Sequence, residues 1–379
     1  MGRAHLEALR RQGIAVQGML GSSPERTAED SRTLGIECAY KSLEDLVNDP
    51  SVDVVHICTP NHLHFEQAKA ALGAGKHVMC EKPLAMDTAE SGSLVDLASK
   101  SNKVGGVAYN LRFYPLCQEA RSIVHHGLIG EPCLVHGSFL QDWLLYPTDW
   151  NWRLDPKLGG DLRAISDIGT HWLDLITWII GKRVKELCAD LATVVPVRRR
   201  PRGRVETFQR SQGVYDEVKV TTDDYGSVLL RFEDDIRGVM TVSQVSAGRK
   251  ARLWFEIDGS AGSIAWNSEA PNTLWVGKRH EANQELAKDP SLMTPEARGY
   301  AAYPGGHPEG YPDTFARLFG DFYGYIAAGN LKAPRKFPTF ENGHDELILC
   351  EAIAVSNSER RWVSVARNQT SKHSLKKSG

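Results

Sequence analysis

The amino-acid sequence predicts a doubly wound parallel α/β sheet followed by an α+β domain with a large, mainly antiparallel open sheet. Up to residue 110, short apolar runs alternate with helical patterns, whereas many apolar runs beyond residue 130 alternate polar and apolar residues. The length of 379 residues also suits two domains, since a domain typically contains about 100 to 200 residues.

The first half of the sequence alternates between strands and helices. Apolar runs and helical periodicity cover, in turn, residues 3–12 (helix), 14–20 (strand), 24–34 (helix), 52–58 (strand), 65–72 (helix), 77–80 (strand), 88–99 (helix) and 104–109 (strand). Two parallel strands need a crossover connection, which is usually a helix, so this alternation predicts a parallel sheet. We expect this domain to span residues 1–112.

The second half predicts an α+β domain over residues 113–367. Strands are expected at 133–141, 185–195, 225–245, 253–266 and 273–276, and helices at 117–126, 167–180, 313–328 and 343–356. We expect these helices to cover one face of the sheet, and the last of them can pack back on the first domain. The basic segment 197–204 predicts a solvated loop, and residues 368–379 predict a flexible tail.

Composition and charge exclude several classes of partner. Lys and Arg number 45 against 47 Asp and Glu, which gives a formal charge of −2 and no global positive field for nucleic acid or an anionic membrane. The seven cysteines form no C-x-x-C pair, which argues against a disulfide framework and a zinc site. The most apolar stretch, residues 172–180, is far shorter than the roughly 20 residues that cross a bilayer. We expect a cytoplasmic protein with a small-molecule partner and no metal.

The N-terminal residues resemble the end of a dinucleotide-binding fingerprint. A doubly wound sheet normally opens with a strand and a G-x-G-x-x-G turn, and Gly2 can be the last glycine of that turn. We therefore expect the first strand to be missing from the sequence, and a misplaced start codon is our leading explanation. Alternatively, Gly2 simply belongs to an ordinary N-terminal helix.

The turn after the strand predicted over 14–20 lacks the acidic residue that usually binds the adenosine ribose. Ser22, Ser23 and Arg26 stand there instead, and they can donate hydrogen bonds to a 2′-phosphate, which favours NADP over NAD. A plain Ser-Ser-Pro helix cap explains the same residues equally well.

Two polar motifs follow strands of the predicted parallel sheet. Thr59-Pro60-Asn61-His62-Leu63-His64 and Glu81-Lys82-Pro83 both stand at carboxyl ends, the edge at which doubly wound sheets bind ligands. Further along, Gly159-Gly160 leads into a helical segment on which Asp167, His171 and Asp174 project from one face, which can line a cleft.

With these motifs the chain resembles the glucose-fructose oxidoreductase and inositol dehydrogenase (Gfo/Idh/MocA) family over nearly its whole length. The resemblance implies a Rossmann-like first domain and hydride transfer between NAD or NADP and a secondary hydroxyl of a sugar or cyclitol. It places cofactor contacts at Thr59, Pro60, Asn61, His64, Glu81 and Lys82, besides Gly2, Ser22, Ser23 and Arg26. The sequence departs from the family in the shortened glycine turn, in the missing acid and in Asp161, where a third glycine is common.

The same resemblance implies that Lys82, Asp167 and His171 surround the reacting carbon. Histidine has an unperturbed pKa near 6.5, which suits a base at neutral pH, so we expect His171 to accept the hydroxyl proton. Lys82 can stabilise the developing alkoxide, and Asp167 can accept from a substrate hydroxyl or orient the imidazole. If Lys82 is strongly desolvated, it can exchange roles with His171. Structurally, Asp167 can instead be a helix cap and His171 a boundary residue.

Further substrate contacts are expected at Asn110, Arg112, Gln141, Trp143, Trp152, Arg153 and His307. Polar groups beside tryptophan faces suit carbohydrate, although loop anchoring or core packing explains each of them as well. By resemblance we also expect a homodimer or homotetramer that pairs through the sheet of the second domain.

Two other functions compete with a dehydrogenase. One is a glycoside hydrolase that uses bound NAD for transient oxidation and releases sugar without net NADH. The other is a non-catalytic sugar-binding or regulatory protein, which the missing strand suggests and the intact Lys82, Asp167 and His171 oppose.

Overall fold

The computed structural model of the protein describes residues 1–202 and 214–366. Its first half contains five strands and five helices, of which the sequence predicts four of each. They are α1 (Gly2–Arg11), β1 (Gly18–Met19), α2 (Pro24–Leu34), β2 (Cys38–Ala39), α3 (Leu43–Asn48), β3 (Val54–Ile57), α4 (His64–Gly73), β4 (His77–Cys80), α5 (Thr88–Ser101) and β5 (Gly105–Val107).

The strands of this half form two separate parallel sheets. β1 pairs with β2, and β3, β4 and β5 form the other sheet in that order. Within the described residues no strand pairs with both β1 and β3. The strand predicted over 14–20 is reduced to Gly18–Met19, which pairs with β2 alone among the described residues.

Helix boundaries in this half follow local capping rules. Ser23 precedes α2 and its side chain accepts a hydrogen bond from the backbone N–H of Arg26, while Pro24 occupies the first helical position. Gly35 ends the helix with a φ of 62°, a left-handed conformation that glycine adopts without strain. These signals explain why the predicted limits of α2 agree with the structure.

The second half contains the remaining elements. They are α6 (Pro115–His125), β6 (Pro132–Leu140), α7 (Pro156–Gly159), α8 (Thr170–Ile180), β7 (Val184–Ala192), β8 (Val197–Pro201), β9 (Tyr215–Lys219), β10 (Tyr225–Phe232), β11 (Arg237–Ser243), β12 (Arg252–Gly259), β13 (Ser263–Asn267), β14 (Thr273–Gly277), β15 (Gln284–Ala287), α9 (Pro295–Arg298), α10 (Tyr311–Ala328), α11 (Phe340–Glu359) and β16 (Val363–Ser364).

Nine of these strands form one large sheet in the order β15-β14-β13-β12-β6-β11-β10-β7-β16. β6 and β11 run parallel and the other neighbours run antiparallel, so the predicted mainly antiparallel sheet is confirmed. The α8 side chain Trp172 packs against this sheet at Gly137. A Cβ at Gly137 would lie 2.5 Å from Nε1 of Trp172, so only glycine fits there.

The basic segment differs from its prediction. Residues 197–201 form β8, which pairs antiparallel with β9, so the expectation of a solvated loop is wrong for this part. Arg198 is fully buried and donates to Oδ1 of Asp224 at 2.7 Å. The chain folds here because tertiary ion pairing satisfies a guanidinium that sequence alone assigns to solvent. The predicted tail, residues 368–379, lies outside the described residues.

The helix α11 contacts both halves of the chain. It packs on β7, and it also packs on α5, where the carboxylate of Glu351 accepts from the backbone N–H and hydroxyl of Thr88 at 2.8 and 2.9 Å. Among the described residues, no helix combines the length and apolar character that crossing a membrane requires.

Candidate active site

Lys82 follows β4 and reaches across to Asp167 in the second half of the chain. Its Nζ donates to the Asp167 carboxylate oxygen Oδ1 at 2.8 Å and to the Asp167 carbonyl at 2.5 Å. The two side chains are 10% and 14% exposed, so the pair is mostly shielded from water. The structure thus brings together two of the three residues predicted to be catalytic.

Asp167 does not lie on the regular α-helix that the sequence predicts. Residues Ile165–Gly169 form a π-helical turn, and the α-helix α8 begins only at Thr170. Such turns are rare and occur frequently at functional sites. The wider turn changes the register between Asp167 and the rest of the helix, which periodicity in the sequence cannot reveal.

The Asp167 carboxylate has two more partners. Gln244 Nε2 donates to its Oδ2 at 2.8 Å, and the guanidinium Nε of Arg153 lies 3.3 Å from its Oδ1. Gln244 in turn accepts a hydrogen bond of 2.7 Å from Arg163, which is fully buried and ion-paired with Asp224. The sequence analysis missed Gln244 and Arg163. The one available signal is the position of Gln244 directly after an apolar strand.

The charges around Asp167 keep it ionised. Burial alone would raise the pKa of this carboxyl, but the positive charges of Lys82 and Arg153 and the hydrogen bond from Lys82 outweigh burial. The pKa of Asp167 therefore lies well below its usual range. At neutral pH the group is a carboxylate that holds the Lys82 ammonium in one place.

His171 lies in the first turn of α8 beside this ion pair. Its ring meets the edge of Tyr109 at a centroid distance of 5.7 Å, and its Nδ1 is buried with no hydrogen-bond partner among the described residues. Burial, reinforced by the charge of Lys82, lowers the pKa of His171 to about 3. His171 is thus neutral at pH 7 and a weaker base than its unperturbed pKa suggests.

Two further residues predicted near the site are buried against each other. Asp174 does not share a cleft-lining face with Asp167 and His171, so that expectation is wrong, and Arg112, which was predicted to contact substrate, lies beside Asp174. The two side chains are 2% and 8% exposed and form a buried ion pair, in which Arg112 Nε donates to Asp174 Oδ2 at 2.8 Å and a second, parallel hydrogen bond completes the fork. Partners 62 residues apart become neighbours only in the folded chain.

The other predicted substrate residues occupy different environments. Asn110 is buried and donates to the hydroxyl of Thr314 at 2.7 Å, which is an internal contact. The His307 side chain is exposed, and the backbone carbonyl of His307 accepts a hydrogen bond from the Lys288 ammonium. Gln141 and Trp143 bond to each other at 2.8 Å, and Trp152 lies under the Arg153 guanidinium at 4.4 Å. The structure places Arg153, with Trp152 beneath it, against Asp167.

The two motifs at strand ends lie side by side, because β3 and β4 are adjacent parallel strands. The amide of Asn61 donates to the carbonyl of Gly159 at 2.9 Å. The two ring nitrogens of His64 lie 2.7 and 2.9 Å from the carbonyls of Pro83 and Thr59. The His64 side chain therefore ties the two strand ends together, whereas Asn61 ties the end of β3 to Gly159 at the end of α7.

The remaining residues predicted to bind cofactor are also engaged within the protein. Glu81 Oε1 lies 2.9 Å from His5 Nε2 in a buried pair, and Thr59 donates to Gln67 at 2.7 Å. Ser23 caps α2, as the alternative interpretation predicts, whereas Arg26 lies 3.6 Å from Asp30 and Ser22 is exposed.

This edge of the sheet fits a nicotinamide dinucleotide. Nδ1 of His62, just after β3, and Nδ1 of His171, in α8, are buried without hydrogen-bond partners among the described residues, so each can form a hydrogen bond with a ligand. At the N-terminus of α1, a Cβ added to Gly2 would meet no atom within 4 Å, which leaves room for a phosphate at a helix end.

Comparison with known families accounts for both halves of the chain. Residues 1–109 match the model described as an oxidoreductase family with an NAD-binding Rossmann fold, and residues 117–265 match the GFO/IDH/MocA C-terminal domain. The chain belongs to the Gfo/Idh/MocA oxidoreductase family. The predicted family and the predicted Rossmann-like fold class are thereby confirmed.

Known members of this family resemble the chain over most of its length. Levoglucosan dehydrogenase from Pseudarthrobacter phenanthrenivorans is 32% identical over 362 residues, which is 91% of this chain and 88% of that protein. A solved structure of a levoglucosan dehydrogenase with NADH and L-sorbose superposes with a TM-score of 0.87 at 30% identity, covering 97% of this chain and 96% of that one. D-xylose 1-dehydrogenase [NADP(+)] from Haloarcula marismortui is 28% identical over 230 residues, covering 60% of this chain and 58% of that protein.

Proposed function

We propose that this oxidoreductase transfers hydride between a nicotinamide cofactor and a secondary hydroxyl of a sugar, a sugar derivative or a cyclitol. The observation that supports this proposal is the Lys82–Asp167 ion pair beside the buried, unpartnered Nδ1 of His171. These groups lie next to the edge at which doubly wound sheets bind dinucleotides. Relatives that are sugar dehydrogenases support the same substrate class.

When bound, the cofactor supplies the hydride acceptor for oxidation and the hydride donor for reduction. During oxidation, His171 accepts the proton of the substrate hydroxyl at its free ring nitrogen, because the imidazole is neutral at pH 7. Lys82 donates a hydrogen bond to the developing alkoxide and stabilises its charge. Asp167 fixes the Lys82 ammonium through the 2.8 Å contact, and Gln244 fixes Asp167 from the other side.

Arg153 and Trp152 form the part of the site that we assign to substrate binding. The Arg153 guanidinium lies 3.3 Å from Asp167 Oδ1 and 4.4 Å from the centroid of the Trp152 ring. A planar donor beside an aromatic face offers both hydrogen bonds to hydroxyls and a surface for the C–H face of a sugar ring. A sugar or cyclitol therefore suits this pair.

The cofactor is NAD or NADP, and we propose that NADP is preferred. Ser23 is used as a helix cap, so Ser22 and Arg26 at the start of α2 are the groups that would meet a 2′-phosphate. The cofactor would be positioned chiefly by the backbone at the two strand ends, which side-chain contacts hold in place. The residues concerned are Thr59, Pro60, Asn61, His64 and Glu81.

A second copy of the chain is the partner that we propose for the large sheet. The face of the sheet opposite α6 and α8, here called the outer face, carries the exposed apolar side chains Leu134, Leu229 and Val239. Pairing two such faces would remove this apolar surface from water. We expect light scattering to report a dimer or tetramer, and a monomer at micromolar concentration would contradict this assignment.

The compartment and the domain boundary remain our proposals as well. All seven cysteines are free thiols, which suits the reducing cytoplasm. The formal charge of −2 gives no field for nucleic acid. We place the boundary between the domains after Arg112, close to the junction of the two family models.

The test is turnover of a panel of aldoses and cyclitols with NAD and NADP, monitored by nicotinamide absorbance. We expect Lys82→Met to lose at least about 100-fold in kcat, since removal of one alkoxide-stabilising donor typically costs 10²–10³. Lys182→Met is the matched control, because the Lys182–Asp234 ion pair is exposed to solvent. Undiminished turnover in the Lys82 variant would remove Lys82 from the chemistry. Release of sugar from glycosides without net NADH would favour the glycoside hydrolase instead.

A further inference from the structure

The outer face of the nine-stranded sheet carries a polar cluster that the hydride-transfer site does not use. On β6, Val135 and Phe139 are buried on the side of α8, and the Phe139 ring lies 6.2 Å from that of His171. Because side chains alternate along a strand, His136 points to the opposite side of the sheet. The cluster around His136 is thus separated from the catalytic groups by the sheet itself.

Two carboxylates of β12 share this face with His136. β12 runs antiparallel to β6 and places Glu256 directly opposite His136 in the register. Asp258 stands two residues further along β12 and points the same way. Phe255 and Ile257, which alternate with them, are fully buried on the other face.

The three side chains converge on one point. A potential ligand atom from each of His136, Glu256 and Asp258 lies within 4.8 Å of the other two. Nε2 of His136 is 3.6 Å from Oδ2 of Asp258. The other carboxylate oxygen of Asp258 accepts from the Ser263 hydroxyl at 2.6 Å, which orients Oδ2 toward the cluster.

The cluster has more negative than positive charge. The carboxylate of Glu256 has no hydrogen bond or ion pair among the described residues. The residues paired with the cluster on the flanking strands, Val239 beside His136 and Ala265 beside Glu256, are uncharged. A divalent cation would neutralise the charge of the two carboxylates.

We propose that His136, Glu256 and Asp258 bind one divalent transition-metal ion, with Zn²⁺ as the best match. One imidazole nitrogen and two carboxylate oxygens are ligands that Zn²⁺ accepts, with bonds of about 2.0–2.2 Å. Tetrahedral geometry at those bond lengths separates the ligand atoms by about 3.4 Å. The ligand atoms lie within 4.8 Å of one another, and rotation of the partly exposed side chains can bring them to that separation. Water or another group takes the fourth position. All three ligands come from one chain, so the site requires neither a second copy nor the nicotinamide cofactor.

The test is metal binding by the full chain, purified without a histidine tag and stripped with a chelator. Titration with Zn²⁺ in a calorimeter should give one ion per chain, and Co²⁺ should give visible d–d absorption. We expect His136→Ala, Glu256→Gln and Asp258→Asn each to weaken binding at least tenfold. The two amide variants keep the size of the side chain, so circular dichroism should match that of the wild type.

His126→Ala serves as the matched control. His126 lies 3.8 Å from Glu296 and is 49% exposed, so it is a histidine–carboxylate pair without a second carboxylate. We expect its variant to bind one ion as the wild type does. A stripped wild type that takes up no Zn²⁺, or His136→Ala protein that binds as tightly as the wild type, would overturn the proposal. Neither result depends on dehydrogenase activity.

Discussion

Replacing Asp174 by asparagine separates a structural role for Arg112 from a role in substrate binding. The guanidinium and the carboxylate are 8% and 2% exposed, and their charged centres lie about 4 Å apart in the forked geometry. At an effective dielectric constant of about 20, two unit charges at about 4 Å attract by about 4 kcal/mol. Because arginine stays protonated, Asp174→Asn leaves a buried guanidinium uncompensated, and we expect a loss of about 3–5 kcal/mol in unfolding free energy.

Urea unfolding followed by circular dichroism measures this loss. The double variant Arg112→Met/Asp174→Leu provides the control, since replacing a buried ion pair by apolar groups of similar volume is often neutral or stabilising. We therefore expect the double variant to be more stable than Asp174→Asn. A loss of unfolding free energy below about 1 kcal/mol in Asp174→Asn would refute the reasoning. A raised KM with unchanged stability in Arg112→Met would also refute it and would indicate that Arg112 binds substrate.

Three further variants probe the site. We expect His171→Ala to lower kcat by about 10²–10⁴-fold in the nicotinamide assay, and a loss under threefold would exclude proton transfer by His171. The pKa of His171 is lowered to about 3, so as the pH falls its imidazole becomes protonated in the unfolded chain before it does in the folded one. The unfolding free energy of the wild type should therefore decrease from pH 6.5 toward pH 3. In urea melts this decrease should be steeper than that of His171→Gln. Parallel pH profiles would contradict that shift. Gln244→Leu removes the 2.8 Å hydrogen bond to Asp167 and should lower kcat by about 10- to 100-fold. The control Gln284→Leu, on the edge strand β15, should leave kcat unchanged. Equal kcat values for the two variants would contradict a positioning role for Gln244.

Local patterns in the sequence are sufficient to predict most helices and strands. The helix predicted over 24–34 has the same limits in the structure because Ser23, Pro24 and Gly35 are all capping signals. The proximity of Lys82 and Asp167 was expected from the family resemblance rather than from local sequence patterns. The limits of the 24–34 helix follow from residues close together in the sequence, whereas Lys82 and Asp167 are 85 residues apart.

Features that depend on distant partners were not predictable. Arg112 and Asp174 pair across 62 residues, and Arg198 becomes buried only because Asp224 lies beside it. The pKa of His171 follows from burial, which a single sequence does not report. The proposed metal ligands illustrate the same point, since His136 and Glu256 become neighbours through strand register rather than through sequence spacing.

Titration of the full chain with NADH and, separately, NADPH in a calorimeter tests the central claim most directly. If the carboxyl ends of β3 and β4 and the N-terminus of α1 form a dinucleotide site, one of the two cofactors should bind saturably with one site per chain, and NADPH should bind more tightly. Circular dichroism on the same sample establishes that the protein is folded. Folded protein that binds neither cofactor would contradict the assignment of this chain as a nicotinamide-dependent dehydrogenase.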